Sequence, residues 1–278
     1  MSASDSSGMK HSTITFDWEL SQAKIRDGQH GPVFSALRTD TGKLITAEKL
    51  DLGEPSESSL RGSIMYHLEK KQMSPSQPNV VSYLGYQLKE GDIFVLREHP
   101  IGGTLRDSIR ENRVIPQTLI RAILRQVVLG LKQLQEQGVA VAFLDSSKIM
   151  VDNKAGIQIE APLLDMIIAG QPLPSNVLTL PEIILNQRNM RKADVWLFGI
   201  VAAQLISGDH SLAAAGDIAT RIQQAQGSAW ELLLPQHVKR GELDEQVSDL
   251  LRKCFTINID ERPSISDLLE HPFLNQAN

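Results

Sequence analysis

Gly28 and Gly31 sit in the run DGQHGPVFSAL, just ahead of strand-like residues, and Lys49 closes the run TAEK. A glycine turn and a lysine are the residue types that lay backbone N–H groups and one positive charge against phosphate. Asp145, Asp152 and Asp165 add carboxylates that could hold a divalent cation. The chemistry would be phosphate binding. Each residue also has a plainer reading: turn punctuation for the glycines, an exposed strand position for Lys49, and loop carboxylates, with Asp152 in a hairpin turn. Cys254 is the only cysteine, which excludes an internal disulfide and a cysteine-cluster zinc site and fits a reducing compartment.

These residues need elements to hold them. Trp18 to Leu52 mixes short apolar runs with turn residues, and Asp40 to Gly42 separates VFSALR from KLITAEKL like a hairpin. LRGSIMYHLEKK allows one helix before MSPSQP breaks it, and NVVSYLGY and IFVLRE supply two further strands. From Thr118 the pattern turns helical: Leu119, Ile120, Ile123, Leu124, Val127, Val128, Leu131 and Leu134 recur at helical spacing. Within this helical half, KIMVDNKAGIQIE reads as a hairpin around Asp152 to Gly156. DEQVSDLLRKCF is a further helix, and Ser264 with Asp267 three positions on marks the start of another.

The 278 residues are 41% hydrophobic and 22% charged, enough to bury roughly 75% of the unfolded surface in one large domain or two lobes. A net charge of -5 gives no global pull toward nucleic acid or anionic lipid, although a local basic patch remains open. The longest nearly apolar run, Val195 to Ile206, is too short for a bilayer of roughly 30 Å. The opening MSASDSSGMKHST is polar and lacks a signal core, so 1–13 is expected to be a disordered tail. Cytoplasmic localisation follows as the expectation, with no membrane partner.

An ordered series of motifs from Trp18 to Leu274 resembles the protein kinase domain. Gly28, Gly31 and Val33 match the later part of the glycine-rich loop GxGxxGxV, with Arg26 where its first glycine would stand. Lys49 matches the lysine of the VAIK segment, QPNVVSYLGY the loop and strand after the C helix, and REHPIGGTL the hinge and next helix turn. Pro181 and Glu182 match the end of the APE motif, Asp194 to Gly199 the opening of the buried F helix, and Arg262 the arginine that pairs with that glutamate. The resemblance implies an α+β, bilobal protein kinase-like fold, with a β-rich N-lobe carrying one helix and a mainly helical C-lobe. Its boundaries would be 14–97 for the N-lobe, 98–103 for the hinge and 104–278 for the C-lobe. Glu182, Asp194 and Arg262 would be structural, and Trp196 core.

The same resemblance exposes losses. Phosphoryl transfer needs a base for the hydroxyl, magnesium ligands and a phosphate clamp. With KIMVD fixing the register, the loop VAFLDSSK puts Phe143 at the catalytic aspartate, two residues before Asp145, and Lys148 at the magnesium-binding asparagine. Ala161, Pro162 and Leu163 replace DFG. A lost base costs about 10² to 10⁴ in rate, and a lost metal several kcal/mol more. Ser63 falls at the C helix glutamate, and Glu69 could substitute only with a shifted helix. Arg97 falls at the gatekeeper, where it is expected to reach into the cleft toward Asp145 or Glu160 and block adenine; a one-residue slip would make Leu96 the gatekeeper. His67 and His99 read as surface or hinge residues, and Ser175 and Thr179 are the only hydroxyls between Ala161 and Glu182.

The expectation is a pseudokinase: not an enzyme, with no cofactor and no metal, Gly28, Gly31 and Lys49 being vestigial. An enzyme with displaced groups at Asp145, Asp152 or Asp165, and nucleotide binding without turnover, are the alternatives. LREHPIGGTL, LDSSKIMVDNKAGIQI and LRKCFTINIDERPSISDLLEHPFL resemble the pseudokinase domain of the general-control initiation-factor-2 alpha kinases. A mitogen-activated-kinase-kinase-kinase-like pseudokinase is the competing assignment. The first implies a piece of a larger stress kinase of amino-acid starvation, activating an adjacent kinase domain of the same chain through surfaces such as Leu60 to Leu68. A homodimer would be unsurprising, and no direct nucleic-acid contact is expected.

Overall fold

The computed structural model of the chain describes residues 12–28, 30–51, 62, 64–66, 68, 77–100, 102–111, 114–139, 141, 144–152, 156–161, 180–181, 192–211, 222, 233–234, 238 and 243–275. The chain divides into two compact units. The first takes in residues 1–77, 81–99 and 162–171, and the second 78–80, 100–161 and 172–278. The first unit thus runs through His99 and the second resumes at Pro100, inside the segment expected to be the hinge.

The first unit is a five-stranded antiparallel sheet. β1 (Trp18–Asp27), β2 (Pro32–Arg38), β3 (Leu44–Lys49), β4 (Tyr83–Lys89) and β5 (Asp92–Glu98) lie in the order β1-β2-β3-β5-β4. The Asp40 to Gly42 turn closes β2 onto β3, with Arg38 N–H donating to Lys43 O and Gly42 N–H to Arg38 O at 2.9 and 2.8 Å. Side chains alternate across the sheet, so the strands carry two apolar faces. Trp18, Ala36, Ile45, Ala47, Phe94 and Leu96 cluster on one. Leu50, Tyr83, Ile93 and Val95 cluster on the other with the helical residues Ile64, Met65 and Leu68. Those three residues lie in the predicted single helix of this unit. The polar tail ends sooner than expected: Ser12 bridges Gln87 and the Thr13 N–H donates to Tyr86 O at 3.0 Å. Residues 1–11 lie outside the described residues.

The second unit is helical around one core. α1 (Leu105–Glu111) leads to α2 (Gln117–Glu136), a 3-10 turn (Ser146–Lys148), the hairpin β6 (Ile149–Val151) and β7 (Ile157–Ile159), then α3 (Ala193–Ser207), α4 (Glu245–Cys254), α5 (Ile265–Leu269) and α6 (Pro272–Asn275). α2 buries Ile120, Ile123, Leu124, Val127, Val128, Leu131 and Leu134 along one stripe. Leu119, expected on that stripe, is 42% exposed, because the helix begins beside it at Gln117 and its first turn stands off the core. α3 is buried on every side from Ala193 to Leu205, the environment that a helix apolar all round requires. Asp244 caps α4, and Ser264 with Asp267 forms the predicted capping box of α5. Among the described residues no helix is long and apolar enough to cross a membrane.

Candidate functional site

The glycine turn follows from local sterics. Gly28 N–H donates to Gly31 O at 2.8 Å, closing a tight turn between β1 and β2. A Cβ on Gly31, whose φ is 150°, would lie 2.0 Å from Lys49 O, and one on Gly28 would lie 2.6 Å from Glu48 Oε1. Only glycine lets the chain come so close to β3. His30 O accepts from Asp51 N–H at 2.7 Å, and His30 N–H donates to Glu48 Oε1 at 3.2 Å.

The register of the sheet decides which residue of TAEK meets that turn. Val33 pairs with Glu48, Thr46 with Arg97, Ala47 with Leu96 and Lys49 with Phe94. Glu48 therefore shares a face with Thr46, Val95 and Arg97, the face on which Ile64, Met65 and Leu68 pack. Lys49 lies on the opposite face and pairs with Asp92 at 2.7 Å, both side chains about 40% exposed. The lysine singled out from sequence is thus a half-buried strand lysine on the face away from Glu48. Glu48 was missed, although period-two counting from buried Leu50 puts it on the inner face.

Arg97 is buried as its position demands, and within its own sheet it has a carboxylate partner that sequence reasoning did not name, Glu48. Its Nη1 donates to Glu48 Oε2 at 2.7 Å, with the two side chains 8% and 3% exposed. The sheet supplies the reason: Thr46 stands opposite Arg97, so Glu48 is its diagonal neighbour on the same face. Burial pushes the Glu48 carboxyl up. The charge and hydrogen bond of Arg97, with the His30 N–H, override that and hold it below the ordinary carboxylate value. Glu98, by contrast, accepts from Lys43 and Ser82 nearer the surface. His99 is half-buried; burial, then the charge of Arg26, lower its pKa.

In the second unit, Asp145 caps the 3-10 turn by accepting from Ser147 N–H at 2.8 Å and pairs with Arg106 Nη2 at 2.5 Å. Lys148 O accepts from Glu160 N–H at 2.8 Å, and Ala161 packs against the core. Asp152 is spent on the hairpin turn, accepting from Gly156 N–H at 2.7 Å. Asp194 Oδ2, almost fully buried, accepts from the Val141 N–H at 3.2 Å and from Gln135 Nε2 at 3.4 Å. Arg262 lies over Trp196 at 5.2 Å, and its Nε and Nη1 donate to Thr256 O and Lys192 O at 2.9 and 3.0 Å. Trp196 is core, as expected. Ser63, His67, Glu69, Phe143, Pro162, Leu163, Asp165, Ser175, Thr179 and Glu182, as well as Leu60, lie outside the described residues, so the Glu182–Arg262 pairing does too.

A nucleotide with its divalent ion fits these groups poorly as they stand. A carboxylate rather than an ammonium faces the glycine turn and already takes its His30 N–H. No group of three His, Cys, Asp or Glu among the described residues could hold a metal.

Comparison with known proteins places the chain. A profile described as "Protein kinase domain" matches residues 20–274. The MAP kinase kinase kinase mkh1 of Schizosaccharomyces pombe is 26% identical over 94% of this chain, and the match takes up 24% of that protein. The mitogen-activated protein kinase kinase kinase MST11 of Pyricularia oryzae is 24% identical over 91% of this chain and 29% of its own length. Mitogen-activated protein kinase kinase kinase A of Dictyostelium discoideum is 22% identical, with corresponding shares of 92% and 28%. The chain thus spans about a quarter of the length of these curated relatives. The crystal structure of Rad53 1-466 in complex with AMP-PNP superposes with a TM-score of 0.73 at 17% identity, covering 93% of this chain and 65% of that one, which shows the fold. The bilobal α+β expectation agrees with it. The expectation that the chain is not an enzyme is corrected: the matched family and the relatives are kinases by name. These names also favour the kinase-kinase-kinase-like assignment over the initiation-factor one, and none of them speaks of translation or starvation.

Proposed function

The chain belongs to the protein kinase domain family, and from that premise we propose that it is the kinase domain of a longer MAP kinase kinase kinase-like protein, transferring phosphoryl groups slowly to serine or threonine with catalytic groups displaced from their usual places. The observation that carries this reading is the match over residues 20–274 together with relatives from three organisms named as MAP kinase kinase kinases. Asp145 is the displaced carboxylate: it stands two residues beyond Phe143 and is held in place by Arg106 and the Ser147 N–H. A carboxylate fixed in this way can accept the proton of a substrate hydroxyl, which Phe143 cannot. Two donors on one oxygen, Arg106 Nη2 and the Ser147 N–H both reaching Asp145 Oδ1, also keep its rotamer from wandering. The domain would work beside further domains of the same cytoplasmic protein.

The test is phosphate incorporation from labelled ATP into a serine/threonine peptide library by the purified chain. Incorporation that falls about 10²-fold or more in Asp145→Asn is the expected result. The proposal is overturned if the wild-type chain and a variant shown to bind nucleotide both leave the library unlabelled.

A further inference from the structure

We propose that Glu48 is an internal latch on the glycine turn, its carboxylate standing where a phosphate oxygen would accept the turn's N–H, so that a nucleoside triphosphate binds tightly only once that carboxylate is withdrawn. The inference rests on the kinase reading above and names how that same site is regulated. It begins from an inversion of charge: the inner-face position at the end of β3 holds an acid, and the basic partner, Arg97, comes from β5. Backbone N–H groups of a glycine turn are anion acceptor sites. Here the site holds an anion of the chain's own, since His30 N–H donates to Glu48 Oε1 at 3.2 Å.

The latch is fixed from several sides. Arg97 Nη1 grips Oε2 at 2.7 Å. Gly28 and Gly31 allow the turn to lie directly on Glu48 and on the backbone of Lys49, and Asp51 N–H ties His30 O down. A triphosphate approaching this turn meets a buried like charge and an N–H already bonded. When Glu48 loses its charge, the balance reverses. The Arg97 guanidinium, released from its contact with the Glu48 carboxylate, attracts the polyphosphate, and the His30 N–H donates more readily to the stronger acceptor.

The experiment measures ATP binding by calorimetric titration and thermal shift, with and without magnesium, on the whole chain and on Glu48→Gln. The expected result is affinity raised about tenfold or more in Glu48→Gln, the size of one charge-assisted hydrogen bond. Adding Arg97→Met to that variant should abolish the gain. Glu48→Gln that melts cooperatively and binds ATP no better than the wild type overturns the latch. Should Glu48→Gln fail to fold, the double variant Glu48→Met with Arg97→Met removes both buried charges, and amide exchange at His30 is read instead. Exchange about tenfold faster than wild type supports the latch, and unchanged exchange overturns it. Unchanged binding defeats the latch whatever the transfer rate, whereas tight binding without transfer defeats the kinase reading alone.

Discussion

The Glu48 carboxylate and the Arg97 guanidinium stand 2.7 Å apart across β3 and β5, each with less than a tenth of its side chain exposed. Two charges taken from water in this way stabilise little as a pair, yet each is costly without the other. Glu48→Met or Arg97→Met alone should cost about 3–5 kcal/mol, while the double variant returns to within about 1 kcal/mol of the wild type. Urea unfolding of the four proteins checks this, and additive losses would show that the two side chains are not coupled.

Lys49 pairs with Asp92 on the opposite face of the same strand, both about 40% exposed. Such a pair contributes little in water. Lys49→Ala should change stability by no more than about 0.5 kcal/mol and leave ATP affinity as it was. A titration showing a clear loss of ATP binding in this variant would return the lysine to the phosphate site.

Asp194 and Arg262 each hold backbone groups of the second unit. Asp194→Ala leaves the buried Val141 N–H without its carboxylate acceptor, an expected loss of about 1–3 kcal/mol. Arg262→Lys keeps the charge but not the planar fork that reaches Thr256 O and Lys192 O while lying over Trp196. It should therefore destabilise nearly as much as Arg262→Ala. Thermal melts that rank the lysine variant beside wild type would contradict this account.

His271 is buried with its Nε2 3.0 Å from Asp249 and with Lys253 nearby. Burial, with a smaller contribution from Lys253, lowers its pKa below the usual 6.5 against the opposing pull of Asp249. The unfolded chain therefore takes up this proton at a higher pH than the folded one, and the contribution to stability present above pH 6.5 is lost as the pH falls below it. Urea midpoints should decline between about pH 7.5 and 5.5, and less steeply in His271→Gln. An equal decline in both proteins would place the titration elsewhere.

Much of the architecture is legible in local sequence because it depends on neighbours along the chain. The Asp40 to Gly42 turn, the hairpin around Asp152, the capping box of Ser264 and Asp267, and the apolar sweep of Val195 to Leu205 each follow from residues within a few positions of one another. Asp194 and Arg262 were also marked by motif, and the structure buries both. The sequence shows that Arg97 requires a partner, since a guanidinium in a strand interior cannot stay unpaired. It does not show which one. Glu48 lies 49 positions earlier, and only the pairing of Thr46 with Arg97 brings it alongside. Whether Glu48 or Lys49 meets the glycine turn rests on the same register, because a side chain's face changes with every residue along a strand and a shift of one exchanges an acid for a base.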